Sequence, residues 1–408
     1  MDQAINHTNT EEIPPEESWQ QVIFHGDGKS YFSIWILNLV LTLLTLGIYS
    51  AWATVRDRRY IYGNVEVAGG RFDFHGRPLQ ILIGRIIAIV LLIAWTQGHY
   101  IHFSVQLIAI GIVLVLFPWF LVRAMSFRLR NTSLRNLRFN FCADTRSAYV
   151  LFGKYLLIAG LSVAVMYWSL FSAFGTLDPE TMQQEPDSQM AMGPVIQLMV
   201  TYLFFMIGFC FLYPAFVCDI RRFSVNNTEY GDHPFAAKLF KADFIGYFWA
   251  AIGIAVGTTI VVGIAMSVLL GLTAYLQAGN ESKSIALIMI IVVAGYVIMG
   301  LCYLLGYAFW QVRTTNKIFS VLQLEHVRFR SNLEVWPLSK ILLGNTLMLI
   351  MTLGFAYPWT RIRLMRYKLQ AVEYMGDADQ FSGSRVSDVG ALGDEVGDSF
   401  DLDFGFGF

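Results

Sequence analysis

Residues Thr45 to Gly76, TLGIYSAWATVRDRRYIYGNVEVAGGRFDFHG, decide the reading of this chain, because degraded forms of the stretch recur along it. An apolar run ends in Tyr49 and Trp52, a basic cluster of Arg56, Arg58 and Arg59 follows, and Tyr60 and Asn64 lead into the alternating run Val65, Val67, Phe72, Phe74. Aromatic residues favour the headgroup zone and arginines its cytoplasmic side, so the first part reads as a helix meeting water. The second part reads as a two-stranded hairpin turning at Gly69-Gly70.

Sliding the sequence by 67 positions puts Trp119 on Trp52, Arg123 on Arg56, Phe127 on Tyr60, Asn131 on Asn64 and Phe139 on Phe72. A further shift of 96 puts Phe223 on Phe127, Asn227 on Asn131 and Phe235 on Phe139. Near the C-terminus TLGFAYPWTRIRLMRYK repeats TLGIYSAWATVRDRRYI at a shift of 307, pairing Trp359 with Trp52, Arg363 with Arg56, Arg366 with Arg59 and Tyr367 with Tyr60. A fourth and fainter copy runs from Arg313 to Phe329. These intervals suggest duplication of a membrane unit, since soluble solenoids repeat every 20 to 50 residues or so.

The combination of TLGIYSAW, RDRRY, YGNVEVAGGRFDFHG and TLGFAYPWTRIRLMRY resembles the bacterial YjgN family, inner-membrane proteins built around a domain of unknown function. The resemblance covers about Phe24 to Tyr374. It implies an inner-membrane location and supplies no activity, substrate or catalytic residue.

Composition agrees. With 55% hydrophobic and 14% charged residues and a mean hydropathy of +0.51, the chain is too apolar for a soluble domain, where about 25% charge is usual. Acids gather at the ends and bases beside the apolar runs, which excludes a nucleic-acid surface. Residues 1–23 read as a disordered acidic lead without the features of a secretory signal, 24–374 as the repeated membrane domain, and 375–408 as a flexible acidic tail whose terminal Phe-Gly repeats could dock on a partner. Cys142, Cys210, Cys218 and Cys302 lack metal spacing and read as free thiols.

Spanning the hydrocarbon core takes about 20 apolar residues. Six runs meet that: Leu79 to Gln97, Phe103 to Val122, Val150 to Phe174, Val195 to Val217, Ile245 to Tyr275 and Ile285 to Val312. Two less regular ones, Tyr31 to Ala53 and Ile341 to Pro358, flank them. The basic borders belong in the cytoplasm, and Gly98 to His102, the acidic Asp178 to Asp187 loop and Gln277 to Ser284 in the periplasm. The expected fold class is an all-α polytopic membrane protein of six to eight transmembrane helices in parallel repeated units, with small cytoplasmic β-hairpins between helix pairs. The plain layout has eight spans, with one violation of the charge rule at Arg361 to Lys368; in the alternative the two flanking runs enter and return, which keeps every basic motif on one side.

No catalytic motif appears, no metal site is expected and no cofactor is implied; His99 and His102 are three apart without a third ligand. The six clear runs hold no ionisable residue at mid-depth, which disfavours ion-coupled transport. Gly253, Gly257, Gly263, Ser267 and Gly271 are spaced for close helix packing, within the bundle or in a homo-oligomer. Arg56, Arg58, Arg59, Arg123, Arg361, Arg363 and Arg366 are candidate contacts for anionic lipid headgroups. Trp52, Tyr60, Asn64, Trp119, Asn131, Asn227, Trp359 and Tyr367 are the repeat-motif positions. The leading reading is a membrane scaffold or lipid-interacting protein with membrane lipids as partners. Its alternative is a transporter or channel for an uncharged or amphiphilic solute, through a cavity among helices four to seven, and a membrane-embedded enzyme comes third.

Overall fold

The computed structural model describes residues 18–174, 188–276 and 281–376. Most of the acidic lead (1–17), the whole acidic Asp178 to Asp187 loop, half of the Gln277 to Ser284 loop, nearly all of the tail (377–408) and the His99 side chain lie outside the described residues.

Four times the described chain runs helix, helix, strand, strand, and a fifth helix pair leads into the single strand β11. The helix pairs are α1 (Gly28–Leu44) with α2 (Ser50–Gly63), α3 (Pro78–Ile101) with α4 (Phe103–Arg130), α5 (Thr145–Phe174) with α6 (Ser188–Asn226), α7 (Lys241–Leu276) with α8 (Glu281–Val321), and α9 (Val335–Met351) with α10 (Tyr357–Gln370). The strands are β1 (Gln20–Gln21), β2 (Ile23–Phe24), β3 (Val65–Val67), β4 (Gly70–Phe74), β5 (Thr132–Leu134), β6 (Leu137–Phe141), β7 (Thr228–Tyr230), β8 (His233–Ala237), β9 (Leu322–Leu324), β10 (Val327–Ser331) and β11 (Val372–Met375). Among the described residues, six helices (α3 to α8) are long and apolar enough to cross a membrane.

The all-α expectation needs correction, because the hairpins do not stay separate. They join edge to edge into one antiparallel sheet of eleven strands, ordered β1-β11-β10-β9-β8-β7-β6-β5-β4-β3-β2. The two ends of that order, β1 and β2, are one stretch of chain interrupted only at Val22, whose N–H still donates to Val372 O at 3.1 Å. The sheet therefore closes on itself, which leaves no unpaired edge to satisfy. Residues 20–23, assigned above to a disordered lead, are four of the five residues of this closing strand, with Gln20 facing Tyr374 and Ile23 facing Glu66. Met375, assigned to the tail, pairs with Arg328.

Alternation explains which way the barrel faces. Arg71, Asp73, Gln323 and Arg328 are exposed, whereas their neighbours Phe139, Phe235, Leu322, Leu324 and Val327 are buried. Inside, Phe72, Phe139, Phe235 and Phe329 stand at matching positions of successive long strands, with ring centroids 6.0, 6.4 and 6.4 Å apart. Val22 takes the fifth place. Side chains thus fill the barrel. The tight turns are two residues long and rest on positive φ: Ala68 and Gly69, not Gly69-Gly70, carry the first, and Arg135 and Asn136 the second.

Consecutive helices pack in a ring above the barrel, and α10 closes it against α1. Here the eight-span layout fails. The runs Tyr31 to Ala53 and Ile341 to Pro358 are each broken by a turn, so α1 returns as α2 and α9 as α10. α1 has 17 residues and α8 has 41, or roughly 25 Å against 60 Å at the α-helical rise. The shared Thr-Leu-Gly makes the turn. Leu46 and Leu353 sit at φ 50°, and Gly47 and Gly354 at 93° and 90°, the latter a region only glycine occupies without strain. Thr45 Oγ1 donates to Leu41 O at 2.8 Å and accepts from Tyr49 N at 2.9 Å; Thr352 does the same to Met348 O and from Ala356 N at 2.7 and 3.0 Å. Gly47 N and Gly354 N close back onto Thr42 O and Leu349 O, both at 2.8 Å. A turn that satisfies its own polar groups can sit in hydrocarbon, and its tips are apolar, with Leu46 95% and Leu353 90% exposed.

A cysteine placed at Leu46 or Leu353, in a chain with Cys142 replaced by serine, should resist a membrane-impermeant maleimide from both sides of the membrane. Labelling from one aqueous face would show that the tip crosses. Gly354→Val should lower stability by about 1–2 kcal/mol in detergent thermal unfolding, because φ 90° is closed to a β-branched residue.

Candidate functional site

The ring closes through three side chains from three helices. Tyr31 on α1 is fully buried and donates its hydroxyl to Asp57 Oδ1 on α2. Arg361 on α10 donates from Nη1 to Asp57 Oδ2 at 2.7 Å and to the Tyr31 oxygen at 2.6 Å, with its guanidinium 5.6 Å from the Tyr31 ring centre. Burial, with the Asp57 carboxylate beside it, pushes the Tyr31 phenol above its ordinary range. Burial opposes the charge on Arg361, but Asp57 and the surrounding phenols outweigh it and hold the guanidinium above its usual value. Around this group Trp359 stacks on Phe32 at 4.9 Å and covers Gly28, where a Cβ would meet the indole at 2.6 Å. Arg366 Nη2 donates to Gly26 O at 2.7 Å.

The other arginines read as headgroup contacts also touch protein. Arg56 donates to Asn38 Oδ1 at 3.4 Å, Arg58 is buried over the Phe74 ring, Arg59 Nε reaches Phe74 O at 3.4 Å, and Arg123 lies over Trp119. Arg363 lies close over Gly344, with Nη1 3.2 Å from where a Cβ would stand.

The repeat-motif residues have local tasks. Asn64, Asn131 and Asn227 each donate from Nδ2 to the carbonyl four residues back, at 2.7, 2.8 and 2.7 Å, where a helix gives way to a strand. Their own carbonyls accept from His25 N, His75 N and Cys142 N, all at 2.8 Å, which ties each helix exit to the end of the neighbouring strand. Tyr60 OH accepts from Asp27 N and donates to Asp27 O, and Tyr367 repeats this clasp on Glu334. Trp52 stacks with Tyr49. In the matching FHG tripeptides, Gly26 and Gly76 make room for the rings of Phe24 and Phe74.

The small-residue stripe needs correction within this chain. A Cβ at Gly253, Gly257, Gly263 or Gly271 would meet nothing within 4 Å, and all four, with Ser267, are exposed. The close approach of α7 and α8 comes from the other helix, where a Cβ on Gly306 would lie 2.8 Å from Ala251 O and 3.1 Å from Ala255 Cβ.

Beside the closure lies a cavity of about 1030 Å³ between α6, α7, α8, α9 and α10. The expected cavity among helices four to seven, which correspond to α5 to α8, is thus displaced toward the C-terminal units. Phe209, Tyr213 and Tyr303 line the end far from the barrel; Arg221, Thr314, Thr315, Arg361 and Lys368 line it nearer the barrel, together with the apolar Val225, Phe244, Ile318 and Phe319. Arg361 is 32% exposed, and what it faces is this cavity. No group of His, Cys, Asp and Glu among the described residues could hold a metal ion.

The family described as "Bacterial protein of unknown function (DUF898)" matches residues 20–399. The chain belongs to this family. It is 25% identical over 371 residues to inner membrane protein YjgN of Salmonella typhimurium (strain LT2), covering 88% of this chain and 89% of that protein. The proteins of that name from Escherichia coli O157:H7 and strain K12 are each 25% identical over 393 residues, covering 93% of this chain and 92% of theirs. No solved structure matches. With six apolar helices long enough to span, the chain is a multi-pass protein of the bacterial inner membrane.

Two functional-looking acids in this DUF898 chain escaped the sequence reading. Asp57 sits inside RDRR and was absorbed into a basic cluster. Asp219, on α6, is buried and holds Lys154 Nζ at 2.5 Å, Tyr155 OH at 2.8 Å and Lys241 Nζ at 3.0 Å, joining α5, α6 and α7. A lone acid among bases at the end of an apolar run was the available signal, since such a charge needs a partner.

Asp57→Asn and Arg361→Gln should each destabilise by about 2–3 kcal/mol, because each leaves a half-buried polar group without its counter-charge. The double variant should lose clearly less than the sum in detergent unfolding. Additive losses would show that the pair is not coupled.

Proposed function

We propose that this inner-membrane protein holds a membrane amphiphile in the cavity between α6 and α10, with the barrel on the cytoplasmic side and five parallel copies of one helix-pair and hairpin unit around it. The observation that carries the reading is the cavity itself. At about 1030 Å³ it is at the upper end of ligand pockets and far beyond a packing defect. Most of its lining is aromatic and aliphatic, and Arg221, Arg361 and Lys368 bring bases to it in its barrel half, a mixture that suits a molecule with a tail and a head.

The filled barrel supports holding over conduction, because the chamber ends on the apolar plug around Phe139 and Phe235. The scaffold reading has no comparable feature in its favour. For sidedness, the basic borders of all five helix pairs meet the barrel end, which the charge rule puts in the cytoplasm. The headgroup contacts first assigned to the arginines of those borders remain compatible with their internal bonds where, as at Arg363 and Arg366, the residue is also exposed.

Filling the chamber tests the function. Thr346→Trp, at an exposed lining position, should strip co-purifying lipid from the protein in native mass spectrometry while leaving its elution profile unchanged. Full retention would sink the amphiphile reading. Cys142 tests the side: it is exposed at the barrel rim, and an impermeant maleimide should reach it in inverted membrane vesicles but not in spheroplasts. Burial, with the S–H donated to Glu229 at 2.9 Å, pushes this thiol up to about 11. It is therefore mostly protonated at pH 8, and its alkylation rate should climb about tenfold per pH unit until roughly pH 11.

A further inference from the structure

Away from the chamber, three helices meet at one buried carboxylate oxygen. Asp219 Oδ2 on α6 accepts from Lys154 Nζ on α5 at 2.5 Å, from Lys241 Nζ at the start of α7 at 3.0 Å, and from the Tyr155 hydroxyl at 2.8 Å. Joining the helices takes one base, yet two are present. Both ammoniums lie within 3.0 Å of the same oxygen and so repel each other, and a single carboxylate offsets only one of them.

The surplus charge faces outward. The lysine side chains are 43% and 44% exposed, while Asp219 behind them is 6% exposed. Each ammonium has three N–H donors, so both keep donors for a ligand while holding Asp219. The other acid of the first turn of α7, Asp243, is engaged with Lys317 Nζ at 2.9 Å. Arg222, one turn along α6, donates to Leu239 O and brings a further base to the same corner. Neither lysine lines the chamber.

Depth and surroundings suit a lipid. From Lys154 to Phe174, α5 rises roughly 30 Å, about the thickness of the hydrocarbon core, which puts Lys154 at headgroup level on the barrel side. Beyond it Leu157, Leu161 and Val165 follow at helical spacing, all exposed. Directly before Lys241, Phe240 is 60% exposed. At the matching place in other units stand Asp27 and Asp144, whose carboxylates accept from the first-turn N–H groups of α1 and α5. An acid that would repel an anion is thus exchanged for an apolar ring where the two lysines converge.

We infer that Lys154 and Lys241 form a site, outside the chamber, for the phosphate of an anionic phospholipid of the barrel-side leaflet. Its chains run along Leu157, Leu161 and Val165, and Asp219 is the counter-charge that holds the two ammoniums together.

The test offers phosphatidylglycerol and phosphatidylethanolamine with identical chains, in equal amounts, to the delipidated full chain and reads retention by native mass spectrometry. Wild type should favour phosphatidylglycerol about fivefold, for one net positive charge. Lys154→Gln, Asp219→Asn and Lys241→Gln together remove all three charges without stranding the buried acid, and should bring the ratio to about one; a ratio kept at the wild-type value overturns the site. Lys154→Arg with Lys241→Arg should keep the preference. Asp219→Asn alone should raise it about fivefold further, whereas a merely structural joint would lose stability with the ratio unchanged, which also overturns the inference. Thr346→Trp, which fills the chamber, should leave the preference intact, and its loss there would move the anionic lipid into the chamber and strike this site. Displacement of phosphatidylglycerol by millimolar inorganic phosphate would overturn the lipid as source. The chamber and this site thus fail separately.

Discussion

The whole ring depends on one seam. A sheet of hairpins standing at the base of a helix bundle has two free edges, and each would expose a row of unpaired N–H and C=O groups. This chain removes both with one short stretch, Gln20–Phe24, whose first half pairs with β11 and second half with β3. The fifth hairpin is thus assembled from the two distant ends of the described chain. Above it Tyr31, Asp57 and Arg361 join the helices of the same two units, and Trp359 packs over Gly28. Hydrogen bonding closes the sheet and a charge pair closes the bundle, at the same place on the circumference.

The units meeting at that seam are the two short ones, and this links fold to function. Three tall helix pairs alone would leave an open arc; the short pairs complete the circle near the barrel and stop well below the height of the others. A chamber with a closed floor and a low side wall follows from helix length alone. Its floor is closed because the barrel interior is filled with Phe72, Phe139, Phe235, Phe329 and their neighbours. The low wall is stable in an apolar setting because the Thr-Leu-Gly turn meets its own hydrogen-bonding needs.

Particular residues show where sequence reasoning stopped. The repeated Asn could be matched across the chain, yet its task, capping a helix while its carbonyl holds the neighbouring strand, depends on a partner dozens of residues away. The small-residue spacing on α7 is a local pattern, and local patterns do not say which face of a helix meets its neighbour; the contact was made by Gly306 of α8 instead. Asp57 was hidden among arginines because its partner, Arg361, is 304 residues distant. The break in the flanking runs is written in Thr-Leu-Gly, which lies inside both of them, at Thr45 to Gly47 and Thr352 to Gly354.

The sequence by itself determined the membrane class, the six spanning helices, the family and the existence of hairpins after alternate helices, since hydropathy, interface aromatics and alternation act over a few neighbouring residues. Only the tertiary structure decided that the hairpins form one closed barrel, that the outer runs turn back, and that a chamber lies beside the seam. Those features arise from pairings between residues hundreds of positions apart, such as Gln20 with Tyr374, and no local periodicity encodes which distant edge a strand will meet.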